Sequence, residues 1–319
     1  MIIVTGGAGF IGSNLIRGLN ARGIDNILVV DNLTRADKHR TLNTCEFSDY
    51  IDKRELLPRI GPLMQGVSAV FHQGACSDTM EGDGRYLMDN NYAFSKALLQ
   101  SCQDNGVPFI YASSASVYGN GEDGFSEERS SEYPLNGYAY SKFLFDQYVR
   151  RHRPFRSPVV GLRYFNVYGP QETHKGRMAT VVYQFHRTLS AEGKLELFEG
   201  SEGFRRDFIH VDDVVKVNLH FLDHDVAGIF NVGTGRAESF LRIAEIMAPL
   251  YPGSRIATKP FPDALRGKYQ AYTCADLTRL RAAGYADDFI GLEAGVRSYV
   301  ELLKSNDGHY RTPVPSTPR

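Results

Sequence analysis

The sequence predicts an α/β fold, a doubly wound parallel sheet with a smaller interleaved substrate domain, and three observations predict it. A short β-branched run, Ile2-Ile-Val4, leads directly into glycines 6, 9 and 12. Apolar strand patterns then alternate with amphipathic helix patterns as far as residue 112, the signature of a parallel sheet with helices on both faces. Finally, Asn136-Gly-Tyr-Ala-Tyr-Ser-Lys142 opens a helical run in which Tyr138 and Lys142 lie four apart. Residues at that spacing share a helix face.

Composition narrows the functional classes. The 319 residues are 42% hydrophobic and 23% charged, with a formal net charge of −1, which describes an ordinary globular chain and argues against nucleic acid as a partner. Cys45, Cys76, Cys102 and Cys274 have neither metal-ligand spacing nor a disulfide pattern, so free thiols and no metal are expected. No apolar run is long enough for a bilayer, and Met1 to Thr5 passes straight into glycines. A cytoplasmic protein without a membrane partner is the expectation.

Taken in order, Ile2-Ile-Val4 reads as a buried strand and Gly6, Gly9 and Gly12 as the turn and helix start that follow it. Such spacing gives a tight turn, close backbone approach to a pyrophosphate and a helix N-terminus facing the anion, the Rossmann-type arrangement. The context agrees: an amphipathic helix with Ile11, Leu15, Ile16 and Leu19 comes next, then a strand, Ile27-Leu-Val-Val30, ending at Asp31. An acidic residue about twenty positions past the glycines is where the adenosine ribose is read. Asp31 alone would favour NAD and repel the extra phosphate of NADP. Arg35, Lys38, Arg40 and Lys53 lie downstream and offer a counterweight.

Further along, Ala69 to His72 reads as a strand, residues 84–105 as a long helix and Phe109 to Ala112 as the next strand. Ligands bind at the carboxyl ends of such strands, which directs attention to Gln73, Gly74, Ala75, Cys76 and Ser77 and to Ser114. The small residues of the first loop let backbone pass close to a cofactor. His72 and Cys76 have no partner pattern for catalysis and read as packing residues. Ser114 offers a hydroxyl at a strand end beside Tyr138, whereas Tyr140 falls on another helix face. A phenol titrates near 10, and bringing it to neutrality takes about 4 kcal/mol; a fixed Lys142 ammonium supplies part of that.

Together, the glycine loop, the Ser114 segment and Tyr138-x-x-x-Lys142 resemble the extended short-chain dehydrogenase/reductase family of sugar-nucleotide epimerases and dehydratases. Narrower strings are similar to the branch of that family that acts on ADP-heptose. They include Asp89-Asn-Asn-Tyr92, Arg163-Tyr-Phe-Asn-Val-Tyr-Gly-Pro170, His174-Lys-Gly176, Phe198-Glu-Gly-Ser201, Gly233-Thr-Gly-Arg236 and Phe261-Pro-Asp263.

The resemblance implies epimerisation at carbon six of the heptose by transient oxidation with bound NADP, NAD being the runner-up cofactor. It implies two acid/bases, Tyr138 and Lys175, supported by Lys142 and Ser114. It places Phe10, Ile11, Asp31, Asn32, Lys38, Lys53, Asn90, Lys142, Lys175 and the 73–77 loop on the cofactor. On the nucleotide-sugar substrate it places Ser114, Asn166, Phe198, Glu199, Gly200, Ser201, Arg206 and Tyr269. Arg177 and Gln184 lie in the same substrate region and depart from the pattern, which expects serine and histidine there. A symmetric homo-oligomer such as a pentamer is also implied.

Beyond Gly169 the regular alternation loosens, which divides the chain into a cofactor domain over 1–167 with a returning segment at 208–236, and a substrate domain over 168–207 and 237–304. Helices are expected near 178–191, 214–221, 240–250 and 292–303, with a strand near 207–211. Residues 305–319 carry three prolines and no periodic apolar pattern, and read as a mobile tail. Two other readings stand beside this one: a UDP- or dTDP-sugar 4-epimerase or 4,6-dehydratase, and a non-catalytic nucleotide-sensing module. Ala115-Ser116 after Ser114 departs from the Asp-Glu pair usual in dehydratases, and an intact Tyr138 and Lys142 speak against a sensor.

Overall fold

Strand β1 (Ile2–Thr5) sits near the middle of a seven-stranded sheet. β2 (Ile27–Asp31) and β3 (Asp49–Asp52) lie on one side of it; β4 (Ala69–His72), β5 (Phe109–Ser114), β6 (Val159–Tyr164) and β10 (Gly228–Val232) lie on the other. Every pairing in this sheet is parallel. The structure is a computed structural model and describes residues 1–262 and 270–314.

The pleat explains why the first strands read as continuous apolar runs. Ile2, Val4, Ile27 and Val29 join a core on one face, under the helices Phe10–Ala21 and Val211–Asp223. Ile3, Leu28 and Val30 join the core on the other, under Phe94–Asn105 and Gly137–Arg151. With both faces covered, alternation disappears. The chain leaves β1 toward β2 and returns to β4 on the opposite side, so a crevice opens at the carboxyl ends of β1 and β4.

A third cluster forms around Val182 and Leu189 of the helix Val181–Glu192, Ile243 and Met247 of the helix Phe240–Met247, and Val296, Tyr299 and Val300 of the helix Leu292–Asn306. It is edged by two small sheets. In one, β9 (Arg205–His210) pairs parallel with β7 (Asn166–Tyr168) and antiparallel with β11 (Ala237–Ser239). In the other, β8 (Lys194–Phe198) pairs with β12 (Arg255–Lys259).

Two differences from the sequence reading bear on function. The helix expected over 84–105 opens as Gly84–Leu87, passes through a π-helical turn at Met88–Ala93 and continues as Phe94–Asn105. Residues 305–314, expected within a mobile tail, are folded: Ser305 and Asn306 close the last helix, and His309 is 3% exposed. Polar bonds rather than apolar periodicity hold this stretch.

Candidate active site

The crevice is a cleft of about 610 Å³ walled by the ends of β1, β2, β4, β5 and β6. Its floor is the glycine turn. Gly6 has φ +67, and a Cβ there would lie 2.6 Å from the Gly74 nitrogen; one on Gly12 would lie 2.1 Å from the Gly6 oxygen. Only glycine allows the two strand-end loops and the helix start to close on each other. Gly9 caps the helix without a side-chain bond, which leaves the first turn, Phe10, Ile11 and Gly12, on the cleft wall. A helix start with uncapped N–H groups beside a side-chain-free cradle fits a dinucleotide's pyrophosphate.

At one end of the cleft Asp31 closes β2, 6% exposed. Its carboxylate accepts from the backbone N–H of Ala8 at 2.8 Å and of Asn32 at 2.6 Å, and it is paired with the Lys38 ammonium. Lys53 donates to Asn90 Oδ1 at 2.6 Å. The Gln73–Ser77 loop is fixed through Asn91 in the π-helical turn, which accepts from the Cys76 N–H at 2.8 Å and donates to the Cys76 carbonyl at 2.9 Å. Burial pushes the Cys76 thiol up, away from the reactive thiolate. His72 bonds the hydroxyls of Thr5 (2.6 Å) and Ser95 (2.8 Å), and burial lowers its pKa to about 3. It is a neutral packing group, as the sequence suggested.

Asn136 caps the helix Gly137–Arg151 by accepting from the Ala139 N–H at 2.8 Å. Tyr138 and Lys142 both line the cleft, and Tyr140 is 47% exposed. Ser114 lines the cleft beside the phenol, and its oxygen accepts from the Ser116 hydroxyl at 2.9 Å. Lys142 is 6% exposed and donates to the Ala112 carbonyl at 2.8 Å. Burial lowers its pKa to about 8.

Without nucleotide, burial holds Tyr138 above its ordinary value, and the neighbouring Ser114 hydroxyl opposes it. The Lys142 ammonium donates to the Ala112 carbonyl, with Asp146 as its principal electrostatic support.

One turn beyond Lys142, Asp146 sits in a dry polar knot. Arg163, fully buried on β6, donates from Nε to Asp146 at 2.9 Å, from Nη1 to the Tyr118 hydroxyl at 2.9 Å and from Nη2 to Glu132. Asp146 also accepts from Tyr111 at 2.8 Å and from Ser113, next to Ser114, at 2.9 Å. The Tyr138 helix is thus tied through its third turn to the strand end that carries the serine.

Lys175 reaches the cleft from a different element, the 3-10 turn Thr173–Met178. Its Nζ lies 5.1 Å from the centre of the Phe10 ring and 4.0 Å from the Glu172 carboxylate. Burial lowers the ammonium's pKa, with Glu172 opposing. Glu172, itself fully buried, accepts from the Thr180 N–H at 2.7 Å and hydroxyl at 2.6 Å. His174 beside it is held neutral, near 4, by burial and by Lys38 and Lys175; its Nδ1 has no hydrogen-bond partner among the described residues.

The cleft therefore gathers Gly6, Gly9 to Gly12, Asp31, Asn32, Lys38, Lys53, the 73–77 loop, Asn90, Ser114, Tyr138, Lys142 and Lys175. Its lining excludes Asn166, Arg177, Gln184, Phe198 to Ser201 and Arg206. Asn166 is exposed between Phe165 and Val167, which do line the cleft. Arg177 pairs with Asp78 at 2.7 Å across its mouth, and Gln184 donates to the Gly176 carbonyl at 2.9 Å behind the Lys175 turn. Phe198 packs edge-on to Phe261, and Arg206 donates to the carbonyls of Arg205 (3.0 Å) and Gln270. Tyr269 and Asp263 fall outside the described residues. Sequence reasoning missed Thr34, Tyr86, Tyr164 and His174 on the cleft wall. Tyr86 had a signal, since it stands one helical turn before Asn90 and accepts that side chain's bond at 2.8 Å.

Residues 2–233 match the NAD dependent epimerase/dehydratase family. The chain is 55% identical over 316 residues to ADP-L-glycero-D-manno-heptose-6-epimerase of Brachyspira hyodysenteriae, covering 97% of this chain and 99% of that one. It is 53% identical to the enzyme of the same name from Thiobacillus denitrificans, covering 94% and 98%. Among solved structures it resembles the Helicobacter pylori ADP-L-glycero-D-manno-heptose-6-epimerase, with a TM-score of 0.83 at 28% identity over 95% of this chain and 96% of that one.

Proposed function

The chain belongs to the NAD dependent epimerase/dehydratase family, as an epimerase of nucleotide sugars, and on that premise we propose that it inverts carbon six of ADP-glycero-manno-heptose with bound NADP. The observation that carries the reading is the meeting of two proton-transfer groups from separate elements, Tyr138 and Lys175, in the cleft that holds the glycine cradle. Inversion through a ketone needs proton transfer on both faces of one carbon, which a single side chain serves poorly.

When bound, the nicotinamide supplies a hydride acceptor at carbon six and returns the hydride afterwards. The chain's own residues do the rest. Tyr138 Oη moves the proton of the carbon-six hydroxyl in one epimer, and Lys175 Nζ does so in the other. Ser114, on the same cleft wall, polarises that oxygen. Burial favours the neutral, basic form of Lys175. The preference for NADP over NAD is supported by the pairing of Asp31 with Lys38, which offsets the carboxylate that would repel a ribose phosphate, and by Arg35 on the same wall. In this reading residues 168–207 and 237–304 bind the substrate, with Arg206 for the diphosphate; of them His174, Lys175 and Met178 line the cleft itself.

The test is turnover of ADP-D-glycero-D-manno-heptose, with the two epimers separated chromatographically. Tyr138→Phe and Lys175→Met, folded and loaded with cofactor, should each lose about 100-fold or more in kcat. Near-parental turnover by Tyr138→Phe would remove the tyrosine from the reaction. A raised KM with kcat intact in Lys175→Met would make that lysine a binding group only.

A further inference from the structure

The loop that carries Lys175 leaves β7 through Gly169 at φ +139 and Gln171 at φ +75. Glutamine rarely adopts such a conformation, and here its surroundings hold it on every side. Gln171 is fully buried; its Nε2 donates to the Thr41 carbonyl at 3.1 Å, and its backbone N–H donates to the Gly308 carbonyl at 2.9 Å. Its Oε1 lies 2.6 Å from His309 Nδ1. An amide oxygen only accepts, so Nδ1 carries the hydrogen. His309 Nε2 is then the bare nitrogen, and it accepts from the Thr173 hydroxyl at 2.8 Å. Partner chemistry thus fixes the tautomer, and burial keeps the ring neutral, with its pKa lowered to about 4.

The residues around His309 tie the same stretch to the cofactor side of the cleft. Asp307 pairs with Arg40 at 3.1 Å, in the short helix His39–Leu42 that follows Lys38. The Arg17 guanidinium lies 3.8 Å over the Tyr310 ring and donates to the Thr312 carbonyl at 3.2 Å, which anchors the strap on the first helix. Asn14 of that helix donates to the Pro170 carbonyl at 2.9 Å, immediately before Gln171. The C-terminal stretch therefore joins three parts: the segment after Asp31, the helix of the glycine cradle and the turn bearing Lys175.

We propose that His309 is a positioning residue for Lys175: through Gln171 and Thr173 it locks the 171–175 loop against the Thr41 segment, so that the ammonium enters the cleft from a fixed direction. This rests on the reading of Lys175 as the second acid/base. A strap that merely stabilised the fold would lower the melting temperature and leave the chemistry of Lys175 alone.

The test uses the full chain loaded with NADP and two variants, His309→Ala and the isosteric Thr173→Val, which removes only the hydroxyl donor. Each is measured for kcat and KM on ADP-heptose. Acetylation of Lys175 by acetic anhydride, relative to the exposed Lys216, is measured by peptide mass spectrometry. We expect kcat to fall about tenfold or more with KM changed less than about twofold, as a displaced reacting group requires, and Lys175 labelling to rise several-fold. In the Lys175→Met background, His309→Ala should cost no further activity. Folded variants whose kcat or Lys175 labelling matches the parent overturn the proposal, as does a full additional loss in the Lys175→Met background. If the parent does not convert ADP-heptose, the proposed function fails, and the labelling alone then decides the role of His309. Thr173→Val keeps the test open should His309→Ala not fold.

Discussion

Replacing Lys142 by methionine should stabilise the nucleotide-free protein at neutral pH while removing its activity. The side chain is 6% exposed, and burial moves its pKa from 10.5 to about 8. At 1.36 kcal/mol per pH unit, that is a cost to the folded state of about 3 kcal/mol. The sign follows from proton binding. Below pH 8 the ammonium is charged in both states and the whole cost is present. Between pH 8 and 10.5 the unfolded chain holds the extra proton, so parental stability rises with pH across that window. Methionine escapes the cost but leaves the Ala112 carbonyl without its 2.8 Å donor, a loss of about 1 kcal/mol. Asp146 keeps Tyr111, Ser113 and Arg163 as partners and adds little to the balance. Lys142→Met should therefore be more stable than the parent by about 2 kcal/mol at pH 7, with the advantage falling above pH 8 and reversing at about pH 9.5. Urea unfolding of both proteins from pH 7 to 10.5 measures it. A difference that stays constant over that range, or a variant less stable at pH 7, would refute the reasoning.

Two further outcomes follow from the cleft. Gly12→Ala places a Cβ 2.1 Å from the Gly6 oxygen, a backbone atom that cannot swing aside; the variant should release its nucleotide and melt earlier, read by absorbance of the released cofactor and by circular dichroism. Denaturing the purified protein should release NADP, identified by mass spectrometry; recovery of NAD alone would remove the role given to Lys38 and Arg35.

The parts of the site that could be read from sequence are those in which local spacing does the positioning. Glycines 6, 9 and 12 shape one turn, and Tyr138 and Lys142 share one helix face, so both features survive translation into three dimensions. β6 was not legible as a strand of the sheet, because Arg163 interrupts an otherwise apolar run and its partners Tyr118, Glu132 and Asp146 stand far away in sequence. β3 reads Asp-Tyr-Ile-Asp and has the look of a loop; it is an edge strand, where polar residues belong. Spacing gives the direction of Lys142 but says nothing of the Ala112 carbonyl that receives its hydrogen bond. His309 lies 138 residues from Gln171, and no pattern near residue 309 announces such a contact.

The knot around Arg163 also governs how this chain can change over generations. Its three bonded partners come from three separate stretches, and all are out of water. Losing Arg163 strands the Asp146 carboxylate in the interior, at about 3 to 5 kcal/mol, a large share of what holds a domain folded. Lysine does not stand in for Arg163, since a single ammonium cannot span the fork that reaches Asp146, Tyr118 and Glu132. An all-apolar replacement of the group is physically acceptable, yet every single-step route to it crosses a half-broken intermediate. The knot is therefore a trapped solution: descendants inherit it whether or not it still benefits them, and the alignment of Ser114 with Tyr138 is inherited with it.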